Sequence, residues 1–101
     1  MKRIINGRIY DTASAIPVMR YGYANARGQL VDATFYQGTG LTLFILHLDP
    51  DDQPLLEPVT AAEIHAIVTS KSGRFRDVTI MHEAIIAQLI EDAIAVQGGL
   101  A

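Results

Sequence analysis

The chain contains no cysteine and no tryptophan, and only 19% of its 101 residues are charged. Without thiols it can form neither a disulfide nor a thiolate metal site, so we expect it to work in the reducing cytoplasm. No uninterrupted apolar run approaches the roughly 18 residues that cross a bilayer. The first residues also lack the apolar core of a secretory signal. These absences predict a soluble, unprocessed protein with no membrane partner.

The chain also lacks an excess of basic residues, since 8 Lys and Arg stand against 11 Asp and Glu for a net charge of −3. Clustered Lys and Arg supply most phosphate contacts, so this balance argues against a general affinity for nucleic acid. A charge of −3 is equally too small to make the whole protein resemble DNA, although charge can concentrate in one loop. Half of the residues are hydrophobic, which predicts a packed core in one domain spanning 1–101 and apolar surface shared with a partner.

The sharpest local signal is an Asn-Gly pair, Asn6-Gly7, between two short runs of apolar and polar residues. A two-residue type I′ turn needs positive φ at both central positions, which Gly adopts freely and Asn at little strain. The pair therefore predicts a β-hairpin. After it, Asp11 or Thr12 is expected to cap a short helix that Pro17 stops, and residues 18–28 follow no regular pattern.

A second hairpin is predicted from residues 30–37 and 41–48, joined by a turn that contains Gly38 and Gly40. The later strand carries large apolar groups on both faces, so we expect it to be the central strand. Two prolines and three acids at 49–54 then predict a surface turn.

Two helices are expected in the remainder of the chain. Thr60 and Glu63 have the spacing of a capping box, which predicts a helix over Ala61 to Val68. A longer helix is predicted from Thr79 to Gln97, where Gly98 and Gly99 stop it. The sequence as a whole therefore predicts an α+β fold, a small antiparallel sheet of two β-hairpins covered by two helices.

The predicted last helix has a wider apolar arc than a helix on the outside of a monomer needs, because such a helix buries only one stripe. A second stripe beside the first includes Ile80, Ile90 and Ile94. We expect this stripe to contact the other helix or a second copy of the chain, and a homodimer is the favoured interpretation.

The three histidines do not form a local metal-binding pattern. His47, His65 and His82 fall on one predicted strand and two predicted helices, far apart in sequence. No nucleophile elbow or phosphate-binding glycine loop is present, and no local grouping suggests general acid-base work. We expect no catalytic residue, no metal and no cofactor, with one alternative, a small enzyme whose fold gathers the histidines.

Two sets of charged and aromatic residues are candidates for binding. The acidic segment after the second hairpin does not match a calcium loop and forms either a solvated turn or a patch that faces a basic protein surface. The expected partner-binding residues are Asp49, Asp51, Asp52, Glu57, Arg20, Tyr21 and Tyr23. An alternative patch mixes guanidinium groups with an aromatic ring, which suits stacking on bases and contact with phosphates. Its members are Arg20, Tyr21, Arg27, Lys71, Arg74 and Arg76.

Three structural motifs occur in the first two thirds of the chain. They are Ile4-Ile5-Asn6-Gly7-Arg8-x-Tyr10-Asp11-Thr12-x-x-Ala15, Thr34-Phe35-Tyr36-x-x-x-Gly40 leading into Phe44, and Pro58-Val59-Thr60-x-x-Glu63. Together they resemble a family of small uncharacterised domains that are common on phages and other bacterial mobile elements. Pro17 and the long last helix depart from that pattern.

The resemblance implies a function but no catalytic residue. Small mobile-element proteins of this size that bind host machinery include anti-CRISPR inhibitors. By this likeness in type, we expect a non-catalytic protein in the cytoplasm of a bacterial host that binds and inhibits a defence effector such as a CRISPR-Cas component. The alternative is a nucleic-acid-binding accessory or regulatory protein that uses the Arg and Tyr patch.

Overall fold

The computed structural model describes residues 1–70 and 73–99. These residues form an α+β domain with a two-stranded sheet, a five-stranded sheet and two α-helices. The two-stranded sheet pairs β1 (Lys2–Ile5) with β2 (Arg8–Asp11). The five-stranded sheet has the order β6-β5-β4-β3-β7, and all neighbouring strands are antiparallel. Its strands are β3 (Ile16–Ala24), β4 (Leu30–Gln37), β5 (Leu43–Leu48), β6 (Leu55–Pro58) and β7 (Arg76–Ile80). The helices are α1 (Ala61–Val68) and α2 (Glu83–Gly99).

The first hairpin has the predicted turn. Asn6 and Gly7 have φ values of 51° and 77°, as a type I′ turn requires. The hairpin forms a separate sheet that packs on one face of the large sheet, where Tyr10 is buried with Phe44 and Leu56. The α+β class is confirmed, but the prediction of one sheet made of two hairpins holds only in part. The first hairpin forms its own sheet, and the second, β4 with β5, belongs to a sheet of five strands.

Strand β3 occupies a segment for which the sequence predicts no regular structure. A bulge between Pro17 and Met19 shifts the register and buries both Val18 and Met19, which breaks the alternation expected of a strand. Pro17 is compatible with this strand on the β7 side, because β7 pairs with β3 only from Met19 onward and needs no N–H from Pro17. The predicted helical turn is shorter than expected, a 3₁₀ turn capped by Asp11, whose side chain accepts from the Ala13 N–H.

The prediction that residues 41–48 form the central strand is wrong. Strand β4 is central, because β3 and β7 lie on one side of it and β5 and β6 on the other. β5 begins at Leu43, since Thr39–Leu41 forms a 3₁₀ turn in which Gly40 has a φ of 67°. Both faces of β5 are nevertheless covered, as expected, because Phe44 and Ile45 belong to different buried clusters.

The last helix begins at Glu83 instead of Thr79. The residues before it form strand β7, whose three β-branched side chains at 78–80 favour extended backbone. Ile80 therefore lies on a strand opposite Met19, while Ile90 packs against the core and Ile94 is 54% exposed on α2. The predicted stripe of Ile80, Ile90 and Ile94 is not one helix face. No helix among residues 1–70 and 73–99 is long and apolar enough to cross a membrane.

The core lies between the helices and one face of the large sheet. α1 is capped as predicted, with the Thr60 hydroxyl accepting from the Glu63 N–H, and it buries Ile64. α2 buries Ile86, Leu89 and Ala93, spaced along one face. The small hairpin covers the opposite face at the Phe44 end of β5. The other end of the sheet, where β3 and β5 finish, carries the charged loops.

Candidate functional site

The side chain of Asn25 joins two loops at one end of the large sheet. The side-chain amide oxygen of Asn25, Oδ1, accepts from the backbone N–H groups of Arg27, at 2.9 Å, and Gln29, at 3.0 Å. Its amide nitrogen donates to Asp49 at 3.0 Å and to Asp51 at 3.3 Å. Asp49 in turn accepts from the Asp51 N–H at 2.9 Å. The loops at 25–29 and 49–54 are therefore held in one arrangement.

Carboxylates predominate at this end of the sheet. Three adjoining surface cavities there share side chains, and among the described residues they contain five acids and two arginines. We call this surface the acidic end, and its acids are Asp49, Asp51, Asp52, Glu57 and Glu63. Arg27 is paired with Asp51 at 3.7 Å, but its side chain is 78% exposed, so solvent weakens that attraction.

A hydrogen-bonded cluster lies below the acidic end. The Tyr23 hydroxyl is 2.8 Å from His47 Nδ1, and the Tyr23 ring meets the His47 ring edge-on. The other ring nitrogen, Nε2, lies 3.2 Å from a Glu57 carboxylate oxygen without being aligned for a hydrogen bond. Because that carboxylate favours a proton on Nε2, Nδ1 is the nitrogen that accepts from the Tyr23 hydroxyl.

Burial controls the protonation of the cluster. It lowers the pKa of His47, while the nearby Glu57 carboxylate opposes the decrease, so the imidazole is neutral at pH 7. Burial also raises the pKa of Tyr23, with Asp49 and Glu57 adding to the effect. For Tyr21, burial and the neighbouring Tyr23 and Glu57 raise the pKa to about 12. With raised pKa values, the phenols of Tyr21 and Tyr23 both stay protonated at neutral pH, so neither is suited to act as a nucleophile or a base.

An aromatic cavity of about 240 Å³ opens beside the cluster, between the sheet and α1. Its walls include the rings of Tyr21, Tyr23 and Phe75, with Tyr21 and Phe75 edge-to-face at 5.4 Å. Glu57 and Glu63 contribute carboxylates to the lining. The guanidinium of Arg74 lies 5.5 Å from the centre of the Phe75 ring. We call this cavity the aromatic pocket.

The fold brings together six of the seven residues predicted to bind a partner. Tyr21, Tyr23 and Glu57 line the aromatic pocket, and the three aspartates lie in the loop beside it. Arg20 is the exception. It pairs in register with Thr34 on the opposite face of the sheet, where it lines a separate groove of about 290 Å³ with Asp32 and Asp77.

The residues of the predicted nucleic-acid patch do not share one face. Arg27 is paired with Asp51, Arg74 lies over Phe75 among carboxylates, and Arg76 is on the edge strand β7. Lys71 lies outside the described residues. The three histidines do not form a metal site either, because no group of three or more His, Asp or Glu side chains in the part of the chain that is described is arranged to hold a metal ion.

Sequence reasoning missed the contact between Tyr23 and His47 and the contribution of Glu63. The contact depends on strand register, because Tyr21 and His47 both pair with Ala33 of β4, which separates their strands. The alternation of Tyr21 and Tyr23 was the available signal, since residues two apart on a strand share a face. It was overlooked because β3 itself was not predicted.

The fold and this site define a small α+β domain with a charged, aromatic surface at one end of its sheet. Comparisons with protein families, curated proteins and solved structures find no match. The resemblance to phage domains therefore stays a prediction.

Proposed function

We propose that this chain is a non-catalytic protein whose acidic end binds a basic surface of a partner protein. The single observation that carries the proposal is the concentration of five carboxylates against two arginines in three adjoining cavities of the described chain. The proposed partner is a bacterial defence effector, such as a CRISPR-Cas component, and binding at the acidic end inhibits it. The chain then acts as a mobile-element inhibitor in the cytoplasm of a bacterial host.

Charge complementarity is the reason to connect this surface with such a partner. Proteins that bind nucleic acid do so mainly through Lys and Arg on the surface that contacts phosphates. A cluster of carboxylates attracts the same basic surface and speeds the encounter, while it repels nucleic acid itself. Binding there excludes the nucleic acid and so blocks the partner's function.

The loops are held in place before any partner arrives. Asn25 connects the loop at 25–29 with Asp49 and Asp51, so two of the carboxylates have fixed positions. A partner that meets a preorganised surface loses less conformational entropy than one that must order it. This arrangement suits a binding protein whose contacts are made mainly by loops.

A defence assay tests the proposal directly. The chain is expressed in bacteria that carry one active CRISPR-Cas system targeting a phage, with a panel of strains covering different systems. Inhibition raises the plaquing efficiency of the targeted phage in at least one strain. The tagged chain should also retain the corresponding effector from that strain, and less of it as salt rises, because salt screens the attraction.

Two double variants separate the acidic end from charge in general. Asp52→Asn with Glu57→Gln removes two exposed carboxylates that do not bind Asn25, and it should abolish inhibition. Glu83→Gln with Glu91→Gln removes the same charge from α2 and should leave inhibition intact. Equal loss in both would contradict the proposal. Salt-dependent binding of DNA or RNA by the purified chain would instead favour the nucleic-acid alternative.

A further inference from the structure

We infer that the aromatic pocket is a binding site for an arginine side chain of the partner protein. The inference deepens the proposed function, because it rests on the acidic end being a partner surface and names the group that this surface recognises. Three aspects of the pocket carry it: its size, its aromatic walls and the placement of its charges.

The size of the cavity fits one side chain. Pockets for drug-sized ligands usually have volumes of roughly 300 to 1,000 Å³. At about 240 Å³, the aromatic pocket lies below that range. It opens to solvent beside exposed loops, so a side chain that projects from another protein can reach it.

The walls and charges select a guanidinium. A planar cation stacks favourably on the face of an aromatic ring, and the pocket is lined by the partly exposed Tyr23 and Phe75 together with the buried Tyr21. A guanidinium also donates two parallel hydrogen bonds to one carboxylate, which an ammonium cannot do in the same plane. Glu57 is well placed for this, since its side chain is 55% exposed and lies beside the pocket.

The chain's own Arg74 already shows that the wall accommodates a guanidinium. Its charged group lies 5.5 Å from the centre of the Phe75 ring. Arg74 also lines the pocket and is exposed, so its charge opposes the entry of a second cation. Neutralising Arg74 should therefore strengthen binding of an external guanidinium, whereas a pocket without this role would show no gain.

The neutral state of His47 fits the same ligand. His47 lies in the pocket lining, and because it is uncharged at pH 7 it does not repel a cation. The charged residues that share a cavity with His47 are Glu57 of β6, Glu63 of α1, Arg74 of the loop after α1, and Asp49 and Asp52 of the acidic loop. Four of these five are acids.

The test uses the intact protein and small arginine analogues, so no partner needs to be known. N-acetyl-arginine amide is titrated to millimolar concentration while the aromatic ring resonances are followed by NMR. The expected result is a saturable shift of the Tyr21, Tyr23 and Phe75 rings. N-acetyl-lysine amide should bind more weakly, and N-acetyl-citrulline amide, which replaces the guanidinium by a neutral urea, should have no effect.

Three single variants sharpen the result. Glu57→Gln should weaken arginine binding by about two- to fivefold, the range of a partly exposed ion pair. Arg74→Gln should tighten it by a comparable factor, and Glu91→Gln on α2 should leave it unchanged. A response to citrulline equal to that for arginine would overturn the inference, as would the absence of a saturable shift at these three rings.

The experiments distinguish an error in the inferred arginine site from an error in the proposed function. If arginine does not bind but the chain still blocks defence through its acidic end, the inference falls and the proposed function stands. If arginine binds but no strain loses its defence, the pocket stands and the proposed partner is wrong.

Discussion

Tyr23 and His47 are connected by a hydrogen bond of 2.8 Å although strand β4 separates their own strands in the sheet. The short side chain of Ala33 lies at the register of His47 on the intervening strand, which leaves room for the two rings to meet. The pair lies between the core and the acidic end. It therefore links the protonation of a partly buried imidazole to the stability of the sheet on which the proposed site is built.

The free energy of unfolding should decrease on acidification because of His47. Burial lowers its pKa in the folded state, so the unfolded state takes up the proton first as the pH falls below about 6.5. The stabilising contribution is present above that pH and is lost as the pH falls toward the lowered pKa. Chemical denaturation at a series of pH values between about 7 and 5 measures this loss. His47→Gln should show a smaller decrease, and an equal decrease would contradict the assignment.

Glu57→Gln should lower the pKa of His47 further. The carboxylate lies 3.2 Å from Nε2 and favours the charged imidazole, opposing the larger effect of burial. Removing that charge leaves burial unopposed. Titration of the His47 ring protons by NMR measures the pKa in both proteins, with Glu91→Gln as the control. A rise in the Glu57→Gln variant would show that the carboxylate does not act on this ring.

Tyr21 should destabilise the folded protein in alkaline solution. Its folded pKa is raised to about 12, chiefly by burial, whereas a tyrosine in an unfolded chain ionises near 10. The unfolded state therefore loses its proton first, and stability decreases as the pH rises from 10 toward 12. Tyr21→Phe should lose less stability than the natural chain between pH 9 and 11, as measured by denaturation. An identical loss in both proteins would contradict the raised pKa.

Local signals predicted several elements well. Asn6-Gly7 identified the first hairpin, the alternation over Leu30–Gln37 identified β4, and Thr60 marked the start of α1. Each of these depends on residues close together in sequence. The same holds for the acidic loop, which the sequence identified as a candidate for binding.

Features that depend on distant pairing were missed. The bulge in β3 interrupts the alternation of buried and exposed side chains that would have identified the strand. Its partner β7 lies nearly sixty residues further along the chain. Ile80 of β7 also fits the spacing of an apolar helix with Ile90 and Ile94, so the sequence alone extended the last helix back to Thr79. The pair of Tyr23 and His47 was missed for the same reason, since only the register of three strands brings them together.

The self-association that the sequence predicts should involve the edge strand β7. All five of its residues are exposed, and within the described chain it pairs only with β3. Val78 and Ile80 add exposed apolar surface to this edge, which suits pairing with a second copy. Mass measurement in solution should give a dimer that Val78→Lys converts to a monomer, because a lysine at an edge opposes strand pairing. A monomer at every concentration would exclude the dimer, and Ile94→Lys tests the contribution of α2.

Asn25 should hold the acidic end in its binding arrangement. Asn25→Ala removes two accepted and two donated hydrogen bonds from exposed or half-buried loops and should cost roughly 1 to 2 kcal/mol in the free energy of unfolding. Asn25→Asp keeps the accepting oxygens but replaces the donating nitrogen with a charge beside Asp49 and Asp51. It should therefore free those two carboxylates while it preserves the turn at 27–29. Denaturation measures stability, and the defence assay measures inhibition. If order in the loops matters, both variants weaken inhibition although Asn25→Asp adds negative charge. Stronger inhibition by Asn25→Asp would show that charge alone determines recognition.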